Sequence, residues 1–297
     1  MSMRITQSMI MNGTQRSINN SYNRMANLQN QLSTGRVINK PSDNPFGAVK
    51  AMQYREQLAE VERLKANTDV ADLWLSTADD TMSTINDRML RVKELVTWAS
   101  NDPLNEENRK AIAVELKQIK ETIGDLANTK VDGKYLFGGA STDQAPYDRS
   151  SGTIVNSDIG QINMEIAPGS KMAINVPAVD LFSQGDGLFG TLDNLIKDLE
   201  DGTKTGADIS AYQSSIDFQH QNLLEQHTLI GIRSQKVEQA IERLEDRELS
   251  VTQSLSENED TDYAKVLTEL SAQDTVHKAA LSVGARLMQT TLLDFLR

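Results

Sequence analysis

Residues 209–251 read ISAYQSSIDFQHQNLLEQHTLIGIRSQKVEQAIERLEDRELSV. Aliphatic residues recur here at strict seven-residue intervals, namely Ile209, Ile216, Leu223, Ile230, Val237, Leu244 and Val251. A repeat of seven is the period of a helix that packs along one side against other helices. Residues midway between them, such as Gln219, Gln226 and Arg233, are polar. The pattern therefore predicts one ridge of a multi-helix bundle rather than a dimeric zipper.

A second apolar stripe predicts another long helix that ends near residue 100. Its members alternate steps of four and three residues, which is coiled-coil spacing. They are Ala71, Leu75, Ala78, Met82, Ile85, Met89, Val92, Val96 and Ala99. Asp102-Pro103 predicts the end of this helix and the cap of a third, whose stripe runs from Ile112 to Leu126. An antiparallel hairpin is the simplest arrangement of the two helices.

Residues 131–187 differ in character from the helical regions on either side. Gly, Ser, Asp and Pro punctuate short runs that are typical of strands. Ile162, Met164 and Ile166 alternate with polar neighbours, which predicts a small antiparallel sheet with one solvent-exposed face. We therefore expect a compact β insertion, followed by a short amphipathic helix over residues 188–199.

The N-terminal segment has an unusual composition, because its first 42 residues contain no Asp or Glu. Within it Ile18, Met25 and Leu32 recur every seven residues, with Leu28 between the last two. This spacing predicts a helix with a narrow apolar seam, too thin to be stable alone.

The last helix has a matching apolar stripe. Leu267, Leu281, Met288 and Phe295 share one heptad position, flanked by Leu270 and Gly284. Ordering a residue costs about 1 to 2 kcal/mol, and a single seam recovers too little. We therefore expect the two terminal helices to pair with each other and with the same helices of neighbouring copies. The residues expected at this assembly interface are Ile5, Met9, Ile18, Met25, Leu28, Leu32, Leu267, Leu270, Leu281, Leu287, Met288, Leu292, Phe295 and Leu296.

Together these patterns predict a mainly α protein with a small β insertion, folded as an elongated antiparallel helical bundle with a terminal coiled coil. Residues 1–42 would be the N-terminal helix and residues 43–130 the first half of the bundle. Residues 131–187 would be the β insertion and residues 188–256 the second half of the bundle. The C-terminal helix would occupy residues 257–297.

Composition argues against several classes of function. The net charge of -12 repels phosphate backbones, so we expect no nucleic acid partner. Aromatic residues at 5% and six prolines are few for a compact enzyme. Zero cysteine removes disulfides and thiolate zinc sites, and suits a protein that acts outside a bacterial cell. We expect no membrane-spanning segment and no cleavable signal peptide.

Residues 32–45 read LSTGRVINKPSDNP. This stretch resembles the N-terminal motif of the flagellin superfamily, in the form found in its hook-filament junction members; flagellins themselves usually lack the two prolines. The residues that match the motif are Gly35, Asn39, Pro41, Ser42, Asp43 and Pro45. RVKEL at residues 91–95 resembles a segment of the first long helix of flagellins, and YLFGG at residues 135–139 resembles the start of the junction members' β domain.

The resemblance implies a flagellin-like structural subunit without catalytic residues, cofactor or metal. It would form a short ring with other copies of itself, with flagellin on one side and the adjoining hook-associated protein on the other. It would be exported unfolded through the flagellar type III channel, helped by an export chaperone and without signal cleavage. Residues 3–32 and 267–296 would line the axial tube, and the β insertion would face outward.

Three other functions remain as alternatives. The chain could be a short flagellin that builds the filament, although Pro41, Pro45 and the β insertion argue against it. It could be a type III secretion tip or translocator protein, a class that usually carries a longer apolar segment. An enzyme would need convergent polar groups in a pocket, which the sequence does not assemble.

Isolated polar residues are interpreted conservatively. His220 and His227 lie seven residues apart on one helical flank, but no third metal ligand is placed by spacing, so we expect exposed bundle histidines. His277 is expected to be a packing or surface residue rather than a general base. The acidic run from Glu257 to Asp262 is expected to be a solvated connection.

Overall fold

The computed structural model describes residues 7–100, 106–156, 158–201 and 204–295, apart from the side chains at positions 7, 8, 10 and 287–295. Its helices are α1 (Gln7–Thr34), α2 (Pro45–Ala99), α3 (Glu106–Ala127), α4 (Ala178–Phe182), α5 (Leu188–Glu200), α6 (Gly206–Ser210), α7 (Tyr212–Glu259) and α8 (Tyr263–Phe295). Its strands are β1 (Lys130–Val131), β2 (Lys134–Tyr135), β3 (Tyr147–Asp148), β4 (Thr153–Ile154), β5 (Asn163–Ala167) and β6 (Ser170–Ala173).

Turn residues set the boundary between α1 and α2, as the sequence predicts. After α1 ends at Thr34, Gly35 adopts a φ of 71°, a left-handed conformation that suits glycine. Helix α2 begins at Pro45, where a missing N–H costs no hydrogen bond. The Asn44 side-chain oxygen accepts the Gly47 N–H at 3.0 Å and caps the helix. The predicted stop and cap at Asp102-Pro103 lie outside the described residues.

The described residues form two compact units. The first comprises Met1–Glu60 with Arg247–Arg297, and the second comprises Val61–Asp246. Helices α2 and α7 contribute residues to both units.

The seven-residue repeat organises the core of the second unit. All seven predicted residues are buried, although Ile209 lies in α6 rather than in the long helix and Val251 belongs to the first unit. From Ile209 to Val237 they join one apolar cluster with the buried stripes of α2 and α3. Burying one such side chain contributes roughly 1.5 to 3 kcal/mol.

Polar residues between the heptad positions hold neighbouring loops. The Gln219 side chain donates a hydrogen bond to the Gln184 carbonyl at 2.7 Å. Arg233 donates to the Asn175 carbonyl at 2.9 Å. The polar side of α7 therefore anchors irregular segments of the second unit.

Two ion pairs join α3 to its neighbours. Arg91 Nε on α2 lies 2.8 Å from Glu115 Oε1 on α3, so the two helices are neighbours as predicted. Lys120 Nζ on α3 lies 2.6 Å from Asp193 Oδ1 on α5.

The β insertion contains three separate antiparallel pairs among the described residues, β1–β2, β3–β4 and β5–β6. The expectation of one small sheet is wrong. Gly133 and Gly152 take positive φ angles beside strands of only two residues, so the chain turns before a wider sheet can form. In the longest pair Met164 lies opposite Met172, and the register shifts between Glu165 and Ala167.

The described helices fall short of the requirements of a membrane span. None of them combines the length and the apolar content that crossing a bilayer needs.

Candidate assembly interface

Helices α1 and α8 pair in the first unit, as the sequence predicts for the two ends of the chain. Gln273 Nε2 donates to the hydroxyl of the buried Ser21 at 2.9 Å. The Tyr22 and His277 rings lie 6.4 Å apart between centroids. A Cβ at Gly284 would lie 3.5 Å from Ile18, so the helices approach closely there. The seam therefore mixes apolar, polar and small residues.

The structure places the described interface candidates on two different sides of this pair. Ile18, Met25, Leu28, Leu32 and Leu270 are half-buried along the seam. Met9, Leu267 and Leu281 are about half exposed or more. Ile5 and Leu296 lie outside the described residues, as do the side chains of Leu287, Met288, Leu292 and Phe295. Their role in assembly stays a prediction.

The side of α8 that meets α1 is not the one carrying the predicted heptad. Gln273, His277 and Gly284 face α1, whereas Leu267 and Leu281 flank the seam. The pairing within one chain thus leaves an apolar flank open, because Gln273 and Gly284 contact α1 while Leu267 and Leu281 remain about half exposed.

The flagellin-like motif forms a short ladder with the segment between α7 and α8. Arg36 and Asp260 form an antiparallel bridge. The Val37 N–H donates to the Glu259 carbonyl at 2.7 Å, and the Thr261 N–H donates to the Gly35 carbonyl at 2.9 Å. Two turns distant in sequence are therefore tied together by main-chain hydrogen bonds.

A buried carboxylate reinforces this ladder. The Glu259 side chain is only 4% exposed and lies 2.6 Å from Arg55 and 3.7 Å from Arg36. The expectation that residues 257–262 are a solvated connection is therefore wrong at Glu259. Helix α7 extends as far as this residue and ends there. Arg36 and Arg55 offset the unfavourable interaction between the Glu259 carboxylate and the negative C-terminal end of the helix dipole. We call Arg36, Arg55 and Glu259 the clamp.

Other motif residues shape the turn that precedes α2. Asp43 Oδ2 accepts the main-chain N–H groups of Asn39 at 3.2 Å and Lys40 at 2.9 Å. The Asn39 side chain donates to the Arg36 carbonyl at 3.0 Å. Pro41 and Ser42 occupy the exposed tip of this turn. Asp43 thus acts as the local organiser of the motif.

Two glycines allow close packing around the clamp. A Cβ at Gly35 would lie 2.8 Å from the Tyr263 hydroxyl, and one at Gly47 would lie 2.5 Å from Ile38. The Asn258 side chain donates to the Gly47 carbonyl at 3.0 Å.

The two histidines of α7 are both withdrawn from solvent within the second unit. His227 lies 2.9 Å from both Asp79 Oδ1 and Asn86 Nδ2 and is half-buried. The expectation of an exposed histidine is wrong at His220, which is buried. Burial and the nearby Lys93 lower the pKa of His220. Among the described residues, no group of three or more metal-ligating side chains is arranged to hold a metal ion.

Sequence reasoning missed the clamp partners and the residues that pack on the motif. Arg55 and Glu259 are 204 residues apart, and no local pattern connects them. Tyr263 and Asn258 also contact the motif only because the chain returns beside it. The available signal was charge, because residues 257–262 contain four acidic side chains whereas the first 42 residues contain none.

Comparison with protein families finds two matches at opposite ends of the chain. The bacterial flagellin N-terminal helical region matches residues 5–142. The bacterial flagellin C-terminal helical region matches residues 213–296. Together they cover more than half of the chain, including all of α1, α2, α3 and α8 and all of α7 except its first residue.

Among individual relatives, flagellar hook-associated protein 3 of Escherichia coli is 23% identical in an alignment 301 residues long, which covers 94% of this chain and 95% of the relative. A flagellin of Halalkalibacterium halodurans is 21% identical over 261 residues, which are 87% and 86% of the two chains.

Solved structures show the same fold. A Vibrio parahaemolyticus protein described as flagellar hook-associated matches with a TM-score of 0.68 and 22% identity, over 73% of this chain and 100% of its own. A flagellar junction protein of Legionella pneumophila matches with a TM-score of 0.59 and 16% identity, over 71% and 100%. The mainly α, flagellin-like fold predicted from the sequence is confirmed.

Proposed function

The chain belongs to the flagellin family, and from this premise we propose that it is the subunit that joins the hook to the filament of a bacterial flagellum. As a member of this family it is a structural component of the flagellum, outside the cell. The finer assignment to the junction is supported by the similarity to hook-associated protein 3 over 94% of the chain.

One structural observation carries the proposal. The two ends of the chain pair as α1 and α8, and this pairing leaves Leu267 and Leu281 about half exposed on its flank. Exposed apolar side chains on a paired helical unit favour contact with further copies. A subunit that packs through such ends builds a ring or a tube.

The junction role is favoured over the filament role by the motif turn. Pro41 and Pro45 bracket the turn that Asp43 organises, and Pro45 begins α2. Flagellins that build filaments usually lack these prolines. Pro41 and Pro45 each restrict φ and so limit the conformations open to this turn.

The partners follow from this position. Other copies of the chain complete the ring, flagellin adds on one side, and the adjoining hook-associated protein lies on the other. The chain reaches this site unfolded through the flagellar export channel, with an export chaperone and without signal cleavage. The sequence contains no cysteine, so no disulfide has to open for passage.

A substitution on the open flank tests the proposal. Leu281→Asp places a charge on the apolar flank and should abolish incorporation at the hook tip, while secretion continues. Ser282→Asp is the matched control, because Ser282 is exposed and its side chain points about 100° around the helix from Leu281. Normal filaments on cells with the Leu281 variant would contradict the proposed use of this flank.

A further inference from the structure

The first turns of α2 expose a second apolar surface in the first unit. Phe46, Val49 and Met52 are 72%, 49% and 58% exposed. Their spacing of three residues places them along one side of the helix. Glu56 follows Val49 by seven residues, lies on the same side and is also exposed. We call these four residues the α2 patch.

Charge is divided unevenly along the chain. The first 42 residues contain no acidic side chain, and only Glu269, Asp274 and Asp294 are acidic after residue 262. All other acidic residues, including Glu56 of the α2 patch, lie between. In the described part of the terminal pair, exposed basic residues are Arg16, Arg24, Lys265, Lys278 and Arg286. The terminal pair is therefore net basic in a chain whose net charge is -12.

The flank of the terminal pair offers apolar residues beside these bases. Tyr22 is largely exposed, and its ring lies 6.4 Å from that of His277. Leu281 is about half exposed and lies one helical turn after His277. Lys278 directly follows His277, and its Nζ lies 2.6 Å from Asp274 Oδ2. The terminal pair thus combines exposed apolar side chains with a small net positive charge. The α2 patch combines apolar side chains with the Glu56 carboxylate, and Lys50 Nζ lies 5.0 Å from the centroid of the Phe46 ring at its N-terminal end.

Symmetry requires two different surfaces for a ring. A surface that pairs with itself closes a dimer, whereas rings and tubes need a head-to-tail contact between two unlike surfaces of one chain. Resting on the proposed function, we propose that the α2 patch of one copy receives the terminal helix pair of a neighbouring copy. Apolar contact between the two surfaces supplies the affinity, and the Glu56 carboxylate of the patch favours the net basic terminal pair.

Single-cysteine chains test this contact cleanly, because the natural sequence has no cysteine. One full-length chain carries Val49→Cys and a second carries Leu281→Cys, so a disulfide can form only between copies. The two are mixed over a range of concentrations in sulfate buffer, which strengthens apolar burial, and then oxidised. Mass spectrometry of the linked peptides identifies each pair.

The expected result is a 49–281 disulfide in about tenfold excess over the 49–49 and 281–281 disulfides, because a head-to-tail contact joins unlike surfaces. Ser250→Cys on α7 is the control for Val49→Cys, since Ser250 is exposed in the same unit outside the α2 patch. It should give only background linkage to residue 281. Glu56→Lys in the Val49→Cys chain should reduce the 49–281 yield, because a like charge then faces the basic flank.

Three results would overturn the contact: equal yields for all pairs, a predominant 49–49 disulfide, or chains that remain monomeric at every concentration. Phe46→Asp separates this inference from the proposed function. If that variant still incorporates at hook tips, the α2 contact is wrong while the junction role stands. If the unmodified chain is never found at hook tips, the junction role itself is wrong.

Discussion

Arg55 Nη2 lies 2.6 Å from both carboxylate oxygens of Glu259, although the two residues are 204 positions apart. The guanidinium side chain is 45% exposed and the carboxylate only 4%. Because of this unequal burial, removing Glu259 and removing Arg55 have different consequences for the side chain that remains. An arginine without its partner returns to water, whereas a buried carboxylate without its arginine does not.

Arg55→Ala is therefore expected to cost more than Glu259→Gln. The first should destabilise the first unit by about 2 to 4 kcal/mol and the second by about 1 kcal/mol, because only the first leaves a buried charge largely unpaired. Hydrogen exchange at the Val37 and Thr261 amides measures the effect, since both amides donate across the ladder. Equal costs for the two variants would contradict the burial argument.

Gly35→Ala tests the turn after α1. The alanine would have to adopt a φ of 71°, and its Cβ would lie 2.8 Å from the Tyr263 hydroxyl. We expect a loss of about 1 to 3 kcal/mol in the stability of the first unit, from the strained conformation alone or with the clash. The measurement is hydrogen exchange at the Thr261 amide in increasing concentrations of urea.

Gly13→Ala, inside α1, is the control. A Cβ at Gly13 meets no atom within 4 Å, so the change should stabilise α1 by up to about 1 kcal/mol. If both alanines destabilise the protein to the same degree, backbone conformation at Gly35 is not the cause.

Periodicity predicted the long helices because burial repeats locally along the chain. The seven heptad residues from Ile209 to Val251 were all found buried, and Pro45 began α2 as expected. The clamp was not predictable, because the burial of Glu259 depends on Arg36 and Arg55 arriving from distant parts of the sequence. The sheet prediction failed because alternation specifies a strand's faces but not its pairing partners.

The same limit applies to the assembly interface. Spacing placed Leu267 and Leu281 on one stripe, but it could not show that Gln273 and Gly284 would meet α1 instead. A polar residue and a glycine do not contribute to the hydrophobic periodicity from which the stripe was predicted. Their position in the seam follows from how closely the two helices approach.

Ser21→Ala tests the polar contact in the seam. The change leaves the Gln273 amide without its partner at 2.9 Å and should destabilise the helix pair by about 1 kcal/mol. Adding Gln273→Leu should recover this loss, because an apolar pair then replaces both polar groups. Helix content during thermal unfolding gives the four stabilities of the cycle. An unchanged Ser21→Ala variant would show that the hydrogen bond contributes nothing.

His220 predicts a pH dependence of the second unit. Burial lowers its pKa in the folded chain, so the unfolded chain binds the proton more tightly. The stabilising contribution is therefore fully present above the unfolded pKa of about 6.5 and is lost as the pH falls toward the lower folded pKa. Urea midpoints between pH 8 and pH 5 are the measurement, in steps of roughly half a unit.

His220→Gln should flatten this dependence, because glutamine does not titrate. His277→Gln is the control, since His277 lies on α8 in the first unit and should leave the pH dependence of the second unit unchanged. A His220→Gln protein with the full acid sensitivity of the natural chain would assign that sensitivity to other groups.

The most direct test of the junction role is deletion of the gene, followed by electron microscopy of the cells and blotting of the culture fluid for flagellin. The account predicts bare hooks, with flagellin monomers lost to the medium, and filaments restored when the gene is returned. Intact filaments on normal hooks in the deletion strain would contradict it.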